Sequence, residues 1–250
     1  MKKLPLLLVA FGVACGGYEK EGQSDLKFEM VDLKVESSAG CSDSIACASF
    51  EVHYPEFDGL SETVSKNLRE GINKALGYEN PEAETMTIEE KGRRFVEDFE
   101  KYSEEFNDPI GWYFQSTAEP ELISDTLISI SVSSEFFTGG AHGGFTTYFV
   151  NIDPRDGSRV TLAGVLRKGY EQALTDAGEV AFREIRVIPD SVSFDESGFE
   201  FPNGKFQMNE NYGFRREGIV FFYNNYEVAP YALGPTEILI PYEVLRDWIQ

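Results

Sequence analysis

The sequence predicts an α+β fold with mainly antiparallel sheet, built as two halves of similar size. Three observations carry this. Apolar and polar residues alternate with period two around 48–54 and 127–134, the pattern of half-buried strands. Two blocks with apolar residues at helical spacing, 60–76 and 88–106, follow the first strands. The remaining strands succeed one another through short turns.

The elements follow in order. Met1-Lys2-Lys3 is a basic start, and Leu4 to Ala14 is an apolar run broken only by Pro5 and Gly12. This run is too short for a stable membrane-spanning helix, which needs about 20 residues. It has the size of the apolar core of a secretory signal. Cys15 follows Val13-Ala14, so 1–14 reads as a lipoprotein signal, cleaved before Cys15 with lipid attached to that cysteine. The alternative is an ordinary signal peptide cut nearby, since Gly12 stands where a leucine is usual. Residues 15–26, mostly glycine and polar or charged residues, read as a flexible tether to a membrane. Two halves are expected beyond it, 27–138 and 139–250.

With Cys15 lipidated, Cys41 and Cys47 remain, inside a run of small and polar residues. In an exported protein this pair suits a disulfide closing a short loop. Phe28 to Val35 reads as a strand, and Ala48, Phe50, Val52 and Tyr54 form the apolar face of the next, ending at Pro55. The two can pair as a hairpin closed by the disulfide. His53 lies on the polar face and reads as solvated.

Leu60, Val64, Leu68, Ile72 and Leu76 recur at spacing four, with Asp58 or Ser61 as cap and Gly77 as stop. The second helix starts with a capping box, Thr87 and Glu90, and lines Ile88, Phe95, Phe99, Tyr102 and Phe106 on one face. That stripe reads as core, and the glutamates opposite read as a solvated surface. Strands are expected at Trp112–Ser116, Leu127–Ser134 and Phe145–Ile152. In the second of these Ile128, Ile130 and Val132 face one way and Ser129, Ser131 and Ser133 the other. Asp153-Pro154-Arg155-Asp156-Gly157 is a tight turn; it begins like a calcium loop but lacks the later ligands. A short strand at 160–162, a helix over 169–185, strands at 205–208, 218–223 and 237–240, and a last helix over 242–249 complete the reading. Between the last strands lies an irregular aromatic loop, Asn224 to Pro235.

The formal net charge is −21, and loss of Lys2 and Lys3 with a leader makes it more negative still. That excludes nucleic acid, whose phosphates need Lys and Arg, and binding through anionic lipid headgroups. It favours a basic partner. Chemistry-bearing motifs are few. No Gly-x-Ser-x-Gly elbow and no His-Glu-x-x-His motif occurs, and neither histidine has a partner at metal-ligand spacing. No catalytic residue, metal site or cofactor is assigned.

One segment stands out: Phe136-Phe137-Thr138-Gly139-Gly140-Ala141-His142-Gly143-Gly144. Four glycines around a histidine mark a turn whose backbone shape matters. The simpler reading is that the His142 ring bonds a backbone group and locks the turn, so that its loss costs about 1 to 2 kcal/mol, the value of a buried hydrogen bond. The other is a functional side chain. Candidate binding residues are Gly139, Gly140 and His142 on this turn, with Tyr226, Glu227 and Tyr231 on the later loop, because irregular segments on sheet strands are the usual place for recognition.

The glycine-histidine turn, followed by Tyr148, Asn151-Ile152-Asp153 and Gly157, resembles the extracellular domains of RsiV-type anti-sigma factors. The segment Phe221 to Tyr231, then Gly234-Pro235 and Ile240-Pro241-Tyr242, is similar as well, so the resemblance runs from about Cys41 to the C-terminus. The same domain of unknown function occurs in bacterial lipoproteins and beside some peptidoglycan deacetylases. The resemblance implies a non-catalytic, envelope-facing binding domain. In the anti-sigma members the domain binds lysozyme, but that ligand does not carry over with the resemblance; lysozyme, another basic protein and cell-wall glycan are the candidate partners here. The competing reading is a wall-glycan enzyme using carboxylates near His142, which should show a cleft with perturbed acids there.

Overall fold

A computed structural model describes residues 26–37, 46–78, 83, 85–106 and 110–250. The leader, Cys15, the tether up to residue 25, and Cys41 lie outside the described residues. The fold is the mixed α+β architecture expected, with two sheets. Strands β1 (Phe28–Glu36) and β2 (Ala48–Phe57) pair antiparallel, with Val35 opposite Phe50. β2 runs past Pro55, where the sequence reading ended it. On its other edge the ladder stops at His53, so a proline at 55 removes no hydrogen bond there.

α1 (Glu62–Ala75) begins at Ser61, whose Oγ accepts from Val64 N at 3.3 Å. Gly77 then takes a φ of +66° just past its end, as a helix stop does. α2 (Ile88–Phe106) opens with the reciprocal box expected: Thr87 N donates to Glu90 Oε2 at 2.7 Å, and Glu90 N to Thr87 Oγ1 at 3.2 Å. Its apolar stripe is buried through Phe99, but Phe106 is exposed. Lys91, on the same helix, is buried and donates from Nζ to Asn73 O at 2.7 Å, tying α2 to α1. Burial lowers the pKa of that ammonium.

The chain returns in β3 (Trp112–Ile123), parallel to β2, after this two-helix crossover. β3 is longer than expected and passes through Pro120, beyond the end of its ladder with β2 and at a register shift against β4. β4 (Ile128–Phe137) and β5 (Gly144–Ile152) complete a five-stranded sheet of order β1-β2-β3-β4-β5. One face packs on both helices. There Phe50 stacks on Phe114 with centroids 4.7 Å apart, among Val64, Leu68, Ile72, Phe95, Ile130 and Val132.

The second unit follows the Asp153 turn, where Gly157 N donates to Asp153 O at 2.8 Å. It holds α3 (Leu162–Val165), α4 (Glu171–Arg186) and a three-stranded antiparallel sheet of β6 (Tyr212–Phe214), β7 (Gly218–Tyr223) and β8 (Thr236–Pro241). Its core is aromatic. Phe182 is fully buried, with Phe194, Phe199, Phe201, Phe206 and Tyr223 all within 5.8 Å of its centroid.

Four expectations are corrected. The division at 138/139 falls inside the β4–β5 hairpin; β5 belongs to the first sheet, so the units separate after Ile152. Residues 205–208 form no ladder, because Phe206 and Met208 pack against Gly178 of α4; the strand is Tyr212–Phe214. Leu162 opens a short helix instead of ending a strand. The last helix is a run of turns, with Val244 N bonded to Pro241 O and Trp248 N to Leu245 O. Among the described residues no helix is long and apolar enough to cross a membrane.

The serine face of β4 is not solvated. Ser129 and Ser131 are buried, because the second unit packs against that face. Ser129 Oγ donates to Asn151 Oδ1 at 2.7 Å and accepts from Phe214 N at 2.9 Å. β5 is a sheet edge, and its outward backbone groups are closed by side-chain amides. Thr147 N donates to Asn224 Oδ1 (2.8 Å), and Phe149 N to Asn211 Oδ1 (3.2 Å). Thr147 O accepts from Asn224 Nδ2 (3.0 Å) and Asn211 Nδ2 (2.7 Å). Two asparagines thus stand in for a neighbouring strand and protect the edge.

Candidate functional site

The two segments singled out in the sequence meet at this seam. The glycine turn joins β4 to β5, with Gly139 and Gly140 at φ of +94° and +95°. A side chain at Gly140 has open space, so backbone conformation and not crowding demands glycine there. At Gly144 the demand is space: a Cβ there lies 2.3 Å from the Phe136 ring.

His142 stands exposed at the tip. Its ring stacks on Tyr231, centroids 4.0 Å apart and planes 19° off parallel. Nδ1 lies 2.9 Å from Gly143 O, and a carbonyl oxygen only accepts, so Nδ1 carries the hydrogen. Nε2 then faces the Tyr226 hydroxyl at 3.4 Å, a long contact. Tyr231 OH donates to the same Gly143 O at 3.1 Å, and the Tyr226 and Tyr231 rings lie 5.7 Å apart. Residues 84 to 89 positions apart in sequence so form one aromatic shelf. The bond from His142 to the backbone exists, but at the surface, which reduces its worth below that of a buried one.

Tyr226 is 65% exposed and holds a φ of +66°, unusual for a large side chain. Glu227 beside it is exposed and also braces the loop: Oε1 accepts from Asn209 Nδ2 at 2.9 Å and Oε2 from Asn224 N at 2.8 Å. It closes the Asn224–Glu227 turn. The far end of the loop is held by Arg186. Its guanidinium donates to Leu233 O, Gly234 O, Pro235 O and Thr236 Oγ1, and partial burial lowers its pKa.

Below the shelf a groove of about 1110 Å³ follows the seam between the two units. Asn67, Gly71 and Lys74 of α1 form one wall, Tyr148 and Val150 of β5 the floor, and Asn209, Asn211, Asn225 and Tyr226 the other wall. Gly71 allows α1 this close, since a Cβ there lies 2.7 Å from Val150 Cγ1. Sequence reasoning missed the groove and its asparagines. The available signal was the pairing of Asn209-x-Asn211 and Asn224-Asn225 around the Phe221–Tyr223 strand.

No carboxylate contacts His142 among the hydrogen bonds and ion pairs of the described residues. The displaced carboxylates Glu51, Glu90, Asp153, Asp156 and Glu196 all have lowered pKa, through bonds to Lys34, Thr87, Arg155, Ser158 and Ser193 respectively. Among the described residues no group of three or more His, Cys, Asp or Glu is placed to hold a metal ion. Cys47 sits just before β2, its carbonyl accepting from Trp112 N at 2.9 Å.

The comparisons with known proteins agree with this two-part build. Residues 164–243 match the family model described as a protein of unknown function, DUF3298. Residues 41–144 match the model described as deacetylase PdaC. The fold is that of DUF3298 structures. A member of that family from Bacteroides fragilis is 22% identical with a TM-score of 0.66, over 92% of this chain and 96% of that one. A DUF3298 family protein from Pseudomonas aeruginosa is 20% identical with a TM-score of 0.63, over 91% and 96%. No curated protein matches the chain significantly.

Proposed function

We propose that the chain is a non-catalytic, envelope-facing binding domain whose ligand surface is the shelf of His142, Tyr226 and Tyr231 with the groove beneath it. The observation that carries this is the convergence of the two irregular loops into one exposed aromatic cluster. Exposed aromatics held by a rigid frame are typical anchors for recognition. Among the described residues the polar contacts of His142 are the Gly143 carbonyl and the Tyr226 hydroxyl, a setting that suits contact with a ligand. The resemblance to RsiV-type ectodomains supports the same role.

The location is part of the proposal. A basic start, a short apolar run and Cys15 after Ala14 support a lipid anchor at Cys15. Cys15→Ala is expected to release the protein from membranes in detergent partitioning. A disulfide between Cys41 and Cys47 belongs to the same exported setting.

The strong acidity favours a second reading of the ligand, a basic protein of the lysozyme kind. The immobilised protein is incubated with wall fragments and with lysozyme, at low and high salt. Retention of either that is lost on Tyr226→Ala supports the surface, and charge-driven retention falls steeply with salt. Retention of neither, at any salt, refutes it.

A further inference from the structure

We infer that two copies of this chain associate through the β1 edge of the five-stranded sheet, β1 pairing antiparallel with its own counterpart around Leu33. The first ground is an edge left open. Ser37 N donates to Ala48 O, and Asp58 N to Lys27 O. The odd residues of β1 therefore direct their backbone groups at β2, and the even ones direct theirs outward. Among the described residues no hydrogen bond reaches the outward backbone groups of Phe28, Met30, Asp32, Lys34 and Glu36. The opposite edge, β5, is closed by Asn211 and Asn224. β1 has no such closure, no bulge against β2 and no proline. A regular edge of this kind is a template for another strand.

The second ground is an apolar face left half finished. On the helix side Phe50, Val52 and Tyr54 of β2 are buried, but Val31, Leu33 and Val35 of β1 beside them are only half-buried. With a two-fold axis at Leu33, a second β1 continues this row: Val31 meets Val35 of the second copy, and the two leucines meet each other. The third ground is charge, and it chooses the partner. On the outer face the same alignment sets Asp32 opposite Lys34 of the second copy, and Lys34 opposite its Asp32. The Asp32 and Lys34 side chains remain 74% and 54% exposed, although the first meets His53 and the second Glu36 and Glu51. Even residues then face even residues, so each such pair exchanges both of its N–H···O=C bonds. Moving the axis by one residue sets Asp32 on Asp32 or Lys34 on Lys34, and like charges directly opposite destabilise. The strand is thus complementary to itself in the Leu33 alignment, which commits the partner to a second copy. The net charge of −21 opposes approach at long range, and salt of physiological strength screens that repulsion beyond about 8 Å.

The test is cysteine cross-linking of the full chain in detergent, with micelles in excess over protein and diamide as oxidant. Met30→Cys and Glu36→Cys change exposed residues that lie opposite each other in the Leu33 alignment. Mixed, the two variants are expected to give a disulfide-linked dimer on a non-reducing gel. Either one alone is not, because its like positions lie about 20 Å apart along the strands, beyond the reach of a disulfide. Adding Asp32→Lys to both cysteine variants, or Lys34→Glu to both, is expected to cut the dimer yield at least about tenfold. Placing Asp32→Lys on one and Lys34→Glu on the other is expected to restore it, since every charge again meets its opposite. Melting curves of the four charge variants confirm that each is folded. Absence of dimer from the mixed cysteine variants, equal dimer from either alone, or failure of the crossed charges to restore the yield overturns the inference.

Discussion

The helix-covered face of the five-stranded sheet and its opposite face differ in how they are held. On the first, Phe50, Phe114, Val132 and the apolar stripes of α1 and α2 interlock, and apolar burial stabilises. On the second, Ser129 and Asn151 hold the second unit through directed hydrogen bonds, and Asn211 and Asn224 close the β5 edge beside it. A greasy face tolerates approximate neighbours of the right volume. A polar seam requires each donor to meet its acceptor, because an unmet buried group costs the full desolvation penalty. The groove lies at the β5 edge, where Tyr148 and Val150 of the helix-covered side meet the asparagines of the polar seam.

The largest expected effect tests the first face. Phe50→Ala removes a fully buried ring and is expected to cost about 3 to 5 kcal/mol in urea unfolding. A loss below about 1 kcal/mol contradicts the packing described.

The seam comes next. Asn211→Ala leaves Phe149 N without its acceptor, while Phe222 O keeps Asn209 and Thr147 O keeps Asn224, and is expected to cost about 1 to 3 kcal/mol. The sharper readout is amide hydrogen exchange. Thr147 and Phe149 should exchange faster in Asn211→Ala and Asn224→Ala, while Ile130 and Val132, inside the β4 ladders, stay protected. Equal acceleration of all four amides means global destabilisation and denies the edge-closing role.

Of similar size is the proposed Cys41–Cys47 disulfide. Closing so short a loop is expected to add about 2 kcal/mol, lost on reduction. Thiol labelling of the unreduced Cys15→Ala protein should find no free sulfhydryl; two labelled cysteines remove the disulfide.

Acid supplies a smaller, graded test. The guanidinium of Arg155 and its own backbone N–H hold Asp153 below the ordinary aspartate range. A lowered folded pKa means stability present above the unfolded value, about 3.9, and lost as pH falls through the folded one. Asp153→Asn should therefore flatten the stability profile below about pH 4. An unchanged profile leaves Asp153 without this role.

The smallest effect is expected at the shelf. His142→Ala removes an exposed ring and one surface hydrogen bond, so its cost should stay below about 1 kcal/mol. Ligand retention, if the proposed surface is right, falls far more than stability does. A large drop in melting temperature with unaltered retention reverses that order and makes His142 a structural residue.

The sequence by itself determined the fold class, the two helices of the first unit with their caps, the β1–β2 and β4–β5 pairings and the glycine turn. These depend on neighbours a few residues apart: Ser61 on Val64, Thr87 on Glu90, alternation along 48–54. It also marked His142, Tyr226 and Tyr231 together as candidate binding residues, with no sign of their mutual geometry. Only the tertiary structure decided that they touch, that Glu227 also braces its loop through Asn209 and Asn224, and that the serine face of β4 is covered. Period-two alternation says that one face of a strand is polar; it cannot say whether water or a second set of polar groups meets it. The parallel pairing of β2 with β3 and the amide-closed edge of β5 join residues some 60 to 80 positions apart. Such contacts leave no local period, because the geometry of packing sets them and the order of the chain does not.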